Sequence, residues 1–269
     1  MFKAKKQSSW LKLIVASSLV LITASFASHA EPANKGLEIA KERKARDQGW
    51  GDSESVSLMV LKNAQGDESV REMRIKALEV QGDGDKGLTI FDEPRDVKGS
   101  AFLNFSHVNK PDDQWLYLPA LKRVKRIASR NKSGPFMGSE FAYEDLASFE
   151  VAKYTYKYLR DETVNGELCW VIESTPTDRY SGYTKQVTWI DQSEYRVQKI
   201  DFYDRKKSLL KTLIFDQYKL YLDKYWRAHK MTMTNHQTGK STDMIAKEIN
   251  FKVGLTDNDF NQNSLRRAR

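Results

Sequence analysis

The chain has 269 residues but only one cysteine, Cys169, with six prolines, 14 glycines and four histidines. A single thiol excludes a disulfide framework and a multi-cysteine metal cluster. The histidines show no HxH or HExxH spacing, so a zinc site would need ligands assembled by folding alone, and none is expected. So little proline and glycine excludes collagen-like and low-complexity classes. Phosphate-binding glycine loops are missing, as is the GxSxG elbow of the hydrolases. Asp83 and Asp85 begin like a calcium loop, but the twelfth position is Pro94 where a bidentate Glu is needed, so a polar turn is the reading. Past residue 30, no run is apolar enough to span a bilayer.

What is present is charge and aromatic surface. Mean hydropathy is −0.64, yet the chain carries 6 Trp, 12 Tyr and 12 Phe. That aromatic content argues against disorder. The formal net charge of +8 would suit a nucleic-acid binder. The first thirty residues change this reading. Lys3, Lys5, Lys6 and Lys12 precede an apolar run from Leu13 to Ala27, and Ser28-His29-Ala30 fits a small-x-small cleavage site. Residues 1–30 read as a cleaved export signal, and 31–269 as a single mature domain. The mature chain then carries only +4, with charges interspersed, and no nucleic-acid partner is expected. A local basic excess remains from Lys122 to Lys132 and at Arg266, Arg267 and Arg269.

One helix is predicted over residues 35–48, capped by Asn34 and ended by the Gly49-Trp50-Gly51 segment. Leu37 and Ala40 share its narrow apolar side, with Ile39 pointing elsewhere. From Asp52 onward the period is two. Strands are predicted around 56–60 and 73–77, then at 87–92, 100–107, 114–119, 122–128, 153–160, 168–175, 183–190, 195–204, 208–218, 225–234 and 242–251. Short polar connections imply an antiparallel meander. Such strands form a sandwich, or one sheet curled around its own apolar face. By alternation, the candidate inner face is Leu58, Val60, Met73, Ile75, Leu88, Ile90, Trp115, Tyr117, Trp170, Ile172, Val187, Trp189, Ile200, Phe202, Met231 and Met233. The stretch 129–149 matches neither period. Its Phe136, Met137, Phe141 and Tyr143, with Leu37 and Ala40 of the helix, are candidates for a lid or docking surface. The nearby Glu140, Glu144 and Asp145 are read as turn and ion-pair residues rather than an acid–base pair.

The segments QWLYLPALKRVKRI (114–127), FMGSEFAYEDL (136–146) and WIDQSEYRVQKIDFYDRKKSLLKTL (189–213) resemble the LolA-like family of outer-membrane lipoprotein-sorting proteins. The resemblance covers Gly49 to Arg269. It implies a mainly β fold, a strongly curved incomplete antiparallel β-barrel with a helical lid over an apolar cavity. It also implies a periplasmic, non-enzymatic carrier of lipid or lipoprotein acyl chains, without cofactor, linked to an RND-type exporter. A non-carrying docking subunit of such an exporter is the alternative.

Overall fold

In a computed structural model, residues 27–267 are described; the leader proposed for residues 1–30 lies almost wholly outside them. Thirteen strands form one antiparallel sheet. In chain order they are β1 (Asp52–Lys62), β2 (Glu68–Leu78), β3 (Lys86–Glu93), β4 (Ala101–Phe105), β5 (Asp113–Leu118), β6 (Arg123–Ile127), β7 (Tyr154–Val164), β8 (Glu167–Pro176), β9 (Lys185–Asp191), β10 (Val197–Tyr203), β11 (Leu209–Tyr221), β12 (Tyr225–Asn235) and β13 (Ser241–Phe251). Spatial order runs β6-β5-β4-β3-β2-β1-β13-β12-β11-β10-β9-β8-β7. Nearly every strand therefore pairs with its chain neighbour, and β1 pairs with β13. The strands β6 and β7 stay unpaired with each other, so the expected strongly curved, incomplete barrel is what forms.

Local chemistry explains the turns. Asn165 and Gly166 both adopt positive φ (53° and 83°), as a two-residue hairpin turn requires, so β7 and β8 run long and meet in a tight reversal.

Helix α1 spans Ala27–Arg46, longer at its start than the sequence pattern indicates. Asn34 is therefore inside the helix and exposed, and does not cap it. The buried face is also not the expected one. Ile39 and Ala40 are both buried, and Gly36 lies one turn earlier on that same stripe. Leu37 is only partly buried against it. Gly36 explains the difference. A Cβ built there would stand 2.8 Å from the Tyr158 backbone nitrogen and 2.9 Å from the Lys157 carbonyl carbon. The helix touches β7 backbone to backbone, and the glycine sets which side faces in. Gly36→Val should therefore lift α1 from β7, costing on the order of 2 kcal/mol through overpacking. Thermal melts would check it; a midpoint unchanged from wild type would overturn the close-approach argument.

Both faces of the sheet carry apolar clusters. On the concave face, Met59, Met73, Phe91, Phe102, Leu116, Phe202, Leu213, Met233 and Met244 meet Phe136 and Phe141 from the β6–β7 connector. Beside them, Ile172, Ile190 and Val197 pack with Ile39 and Ala40 of α1. On the convex face, Leu88, Ile90, Ala101 and Leu103 are covered by Phe260 and by Leu265 of α2 (Gln262–Arg267). The C-terminal stretch is thus a cover for the back of the sheet and not merely a solvated basic tail.

Candidate functional site

The connector between β6 and β7 crosses from one edge strand to the other. Its apolar residues do not face solvent, as the sequence suggests they do; they turn down into the concave face. Phe136 is 1% exposed, with ring centroids 5.8 Å from Phe91, 5.1 Å from Phe102 and 5.7 Å from Tyr143. Phe141 is buried beside them, while Met137 and Tyr143 are partly buried at the edge of the cluster.

Polar groups pin the connector over this cluster. Lys211 Nζ on β11 donates to Asp145 Oδ2 at 2.7 Å and to the Glu140 carbonyl at 2.8 Å. Asp145 also accepts from the Ala142 N–H and from the Tyr183 hydroxyl, both at 2.7 Å. Glu144 accepts from Ser181 Oγ and the Gly182 N–H, each at 2.8 Å. Glu140 Oε2 accepts from Asn235 Nδ2 at 2.7 Å. Arg71 donates to the Met137 carbonyl. At the seam, Lys132 pairs with Asp178 at 2.6 Å and Lys153 with Asp112.

Beneath the connector, beside the filled part of the concave face, lies a cavity of about 700 Å³. Its apolar wall is Ile172, Ile200, Phe202, Leu213, Phe215, Met231 and Met244 from the sheet, facing Phe141, Leu146 and Phe149 from the connector. Its rim carries Lys132, Lys153, Asp112, Asp178 and Glu144, and Arg43 reaches it from α1. Burial pushes the Glu144 pKa up, against the hydrogen bonds from Gly182 and Ser181. Burial also works against ionisation of Asp178, but the Lys132 and Tyr180 hydrogen bonds hold its pKa below the usual carboxylate range. Burial raises the Tyr154 pKa.

Of the sequence-derived inner-face residues, the structure brings Ile172, Ile200, Phe202 and Met231 to the cavity wall. Met73, Ile75 and Met233 face the same side within the packed cluster. Trp170 faces it too, packed near α1. The remaining eight point the other way. Leu88, Ile90, Trp115 and Tyr117 lie in the convex cluster under α2. Val187 and Trp189 form a second convex cluster with Cys169 and Val171. Leu58 and Val60 alternate with Met59 and Leu61, which are the residues that enter the concave core. On β1, β3 and β5 both faces carry apolar residues, so alternation alone leaves the side undetermined; on β9 the inward side carries Gln186 and Thr188, so alternation points to the wrong face. Leu213, Phe215, Met244 and Phe149 were missed as lining. The first three lie on predicted strands, but Ile214 between Leu213 and Phe215 and Ile245 after Met244 blur the alternation that would have picked them out.

The other chemistry-bearing groups lie elsewhere or are engaged. His107 Nδ1 lies 2.6 Å from Asp83 and Nε2 3.3 Å from Asp113. The Asp83 pKa falls to about 2, chiefly through the His107 hydrogen bond. Cys169 is buried on the convex side, where burial pushes its thiol up to about 11. Among the described residues, no group of His, Cys, Asp and Glu is arranged to hold a metal ion, and no helix is long and apolar enough to cross a membrane.

A family model described only as an uncharacterized protein matches residues 83–267. None of the curated proteins matches the chain. Among solved structures, a Vibrio parahaemolyticus domain, provisionally described as an outer membrane lipoprotein-sorting protein, is 67% identical with a TM-score of 0.86, over 87% of this chain and all of that one. A DUF1329 family protein from Desulfovibrio piger is 28% identical with a TM-score of 0.82, over 87% of this chain and 99% of that one. A LolA superfamily protein from Nitrosomonas europaea shares the fold, with a TM-score of 0.67 at 21% identity, over 87% of this chain and 99% of that one. A curved, open antiparallel sheet with a hollow under its connector, and a relative this similar across its whole length, place the chain in the LolA-like outer-membrane lipoprotein-sorting family.

Proposed function

We propose that this protein is a periplasmic carrier that holds lipid or lipoprotein acyl chains in its concave cavity on their way to the outer membrane. The cavity carries this reading. Its volume of about 700 Å³ falls within the roughly 300–1,000 Å³ of ligand sites. Its wall combines aliphatic, methionine and aromatic side chains with Ser174, Gln186 and Thr188, and Met231 and Met244 supply surface that adapts to variable chains. The kinship to a lipoprotein-sorting domain supports the same reading.

The energetics suit carriage. A long acyl chain gains about 12 kcal/mol on leaving water, and the bilayer offers nearly the same. Transfer between an apolar cavity and a membrane is then close to balanced, and a movable cover with a membrane partner sets direction. The connector is the cover. Export by the 1–30 leader puts the carrier in the periplasm. An RND-type exporter is the partner that the family resemblance suggests. The exposed Arg123 and Lys125 on edge strand β6 offer a basic face to anionic head groups, at up to about 1 kcal/mol per charge. A docking subunit that carries nothing has no use for a hollow.

The test is to purify the exported chain from the periplasm without detergent and record native mass spectra, then extract and identify what is released on denaturation. The expected result is a stoichiometric lipid. An empty protein that also takes up no lipid from vesicles would overturn the carrier reading.

A further inference from the structure

Arg43 stands in a position the carrier reading leaves unexplained. The last turn of α1 holds three cations. Lys44 pairs with Glu150 at 3.0 Å and Arg46 with Glu42 at 2.8 Å. Both suit a helix C-terminus. Arg43 instead turns inward and, among the described residues, makes no ion pair. Its guanidinium lies 4.4 Å from the centroid of the Phe149 ring. Asp47, one turn on, is committed to Arg227 at 2.7 Å. Burial lowers the Arg43 pKa, and the nearby Tyr218 and Asp47 offset it only in part. Yet a guanidinium stays charged in any protein. Arg43 is part-buried, and a cation so placed in no ion pair gains from a ligand that supplies the counter-charge.

The space around Arg43 shows where that ligand sits. Arg43 and Phe215 form the partition between the large cavity and a smaller pocket of about 140 Å³. The smaller pocket is polar. Lys224 also lines it without an ion pair among the described residues, its Nζ donating to the Gln48 carbonyl at 2.8 Å. Trp226 closes one side. A chamber with an apolar wall, leading past an arginine held in no ion pair into a small pocket where five cations outnumber Asp47 and Glu194, has the form of a site for an amphiphile.

Resting on the carrier reading, we propose that the small pocket is a head-group site, in which Arg43 binds the carboxylate or phosphate of an anionic amphiphile whose chain occupies the large cavity. A guanidinium donates two parallel hydrogen bonds to either oxyanion. A neutral amphiphile leaves Arg43 without a counter-ion.

The test compares uptake by the exported chain from phosphatidylcholine vesicles doped with oleate or oleyl alcohol, or with dioleoyl phosphatidate or dioleoylglycerol. The expected result is a preference of at least about tenfold for the anionic member of one pair, the strength of a charge-assisted contact. Which pair shows it distinguishes a fatty acid from a phospholipid. Arg43→Met should bring that ratio to within about twofold, while Arg43→Lys, which keeps the charge but loses the fork, retains part of it. Equal uptake of anionic and neutral members by the wild type would overturn the head-group site and leave the carrier reading standing. An undiminished ratio in the folded Arg43→Met protein would also overturn it. Uptake of none of the four would overturn both.

Discussion

Lys211→Met should lower the unfolding free energy by about 3–5 kcal/mol, the cost of leaving one partner of a buried ion pair alone. Lys211 and Asp145 side chains are 4% and 5% exposed. In the wild type Asp145 has three donors, Lys211 Nζ, the Ala142 N–H and the Tyr183 hydroxyl, and Lys211 also satisfies the Glu140 carbonyl. Methionine fills the space but donates nothing. The carboxylate is then short of its cation, and the Glu140 carbonyl loses the Lys211 donor. The double variant Lys211→Met, Asp145→Asn removes both charges and should lose less than the sum of the singles, with a coupling of about 0.5–3 kcal/mol. Urea titrations of the four proteins measure this. A single-variant loss below about 1 kcal/mol, with additive effects, would show that the pair is solvated and that the connector is held by its rings alone.

That pair also shows where sequence reading stops. The strand pattern was nearly all legible, because most segments alternate in polarity, the rest are short apolar runs between polar turns, and short connections force neighbours to pair. Which side of a strand faces inward was legible where the polar side lies outward, as on β2 (Met73, Ile75), β10 (Ile200, Phe202) and β12 (Met231, Met233), and was misread on β9, where Gln186 and Thr188 face in. On β3 and β5 both sides are apolar, since α2 covers the back of the sheet with Leu265, and no local signal reports a cover that arrives more than a hundred residues later. The connector was legible as an anomaly but not as a buried one. Its polar locks are long-range: Glu144 to Gly182, Asp145 to Lys211 and Glu140 to Asn235. Those side chains are ordinary surface residues in sequence and become specific only when the sheet curls. Gly36 is a similar case. A glycine inside a helix reads as a weakness, while its reason, the β7 backbone at contact distance, lies in the tertiary structure.

The division of the concave face has a functional sense. Its β2–β5 side is filled by Phe91, Phe102, Leu116 and the ring of Phe136. Its β8–β13 side is hollow, between Ile172 and Met244. The connector spans both, anchored by aromatic packing over the filled half and by hydrogen bonds and ion pairs along the seam. Apolar packing sets how firmly it is held. The buried Lys211–Asp145 pair adds to that hold, and the more exposed polar contacts fix the connector's register.

Phe136→Ala is expected to release the connector ahead of the sheet. Truncating a fully buried phenylalanine costs about 3–5 kcal/mol, which raises the opened population by at least on the order of 100-fold. The ring touches Phe91, Phe102 and Tyr143 but belongs to no strand ladder, so its loss falls on connector docking first. Trypsin can cut the opened connector at Arg130 and Lys132, and when opening and closing are fast the cleavage rate follows the opened population. The expected outcome is about 100-fold faster cutting at these two sites, with the nicked chain accumulating because strand sites stay protected. On the proposed carrier reading, lipid uptake from vesicles should also quicken in this variant. If strand sites are instead cut in step with Arg130 and Lys132, the connector opens only when the sheet unfolds. It would then be a structural part of the core, and the proposed carrier would have to load past α1.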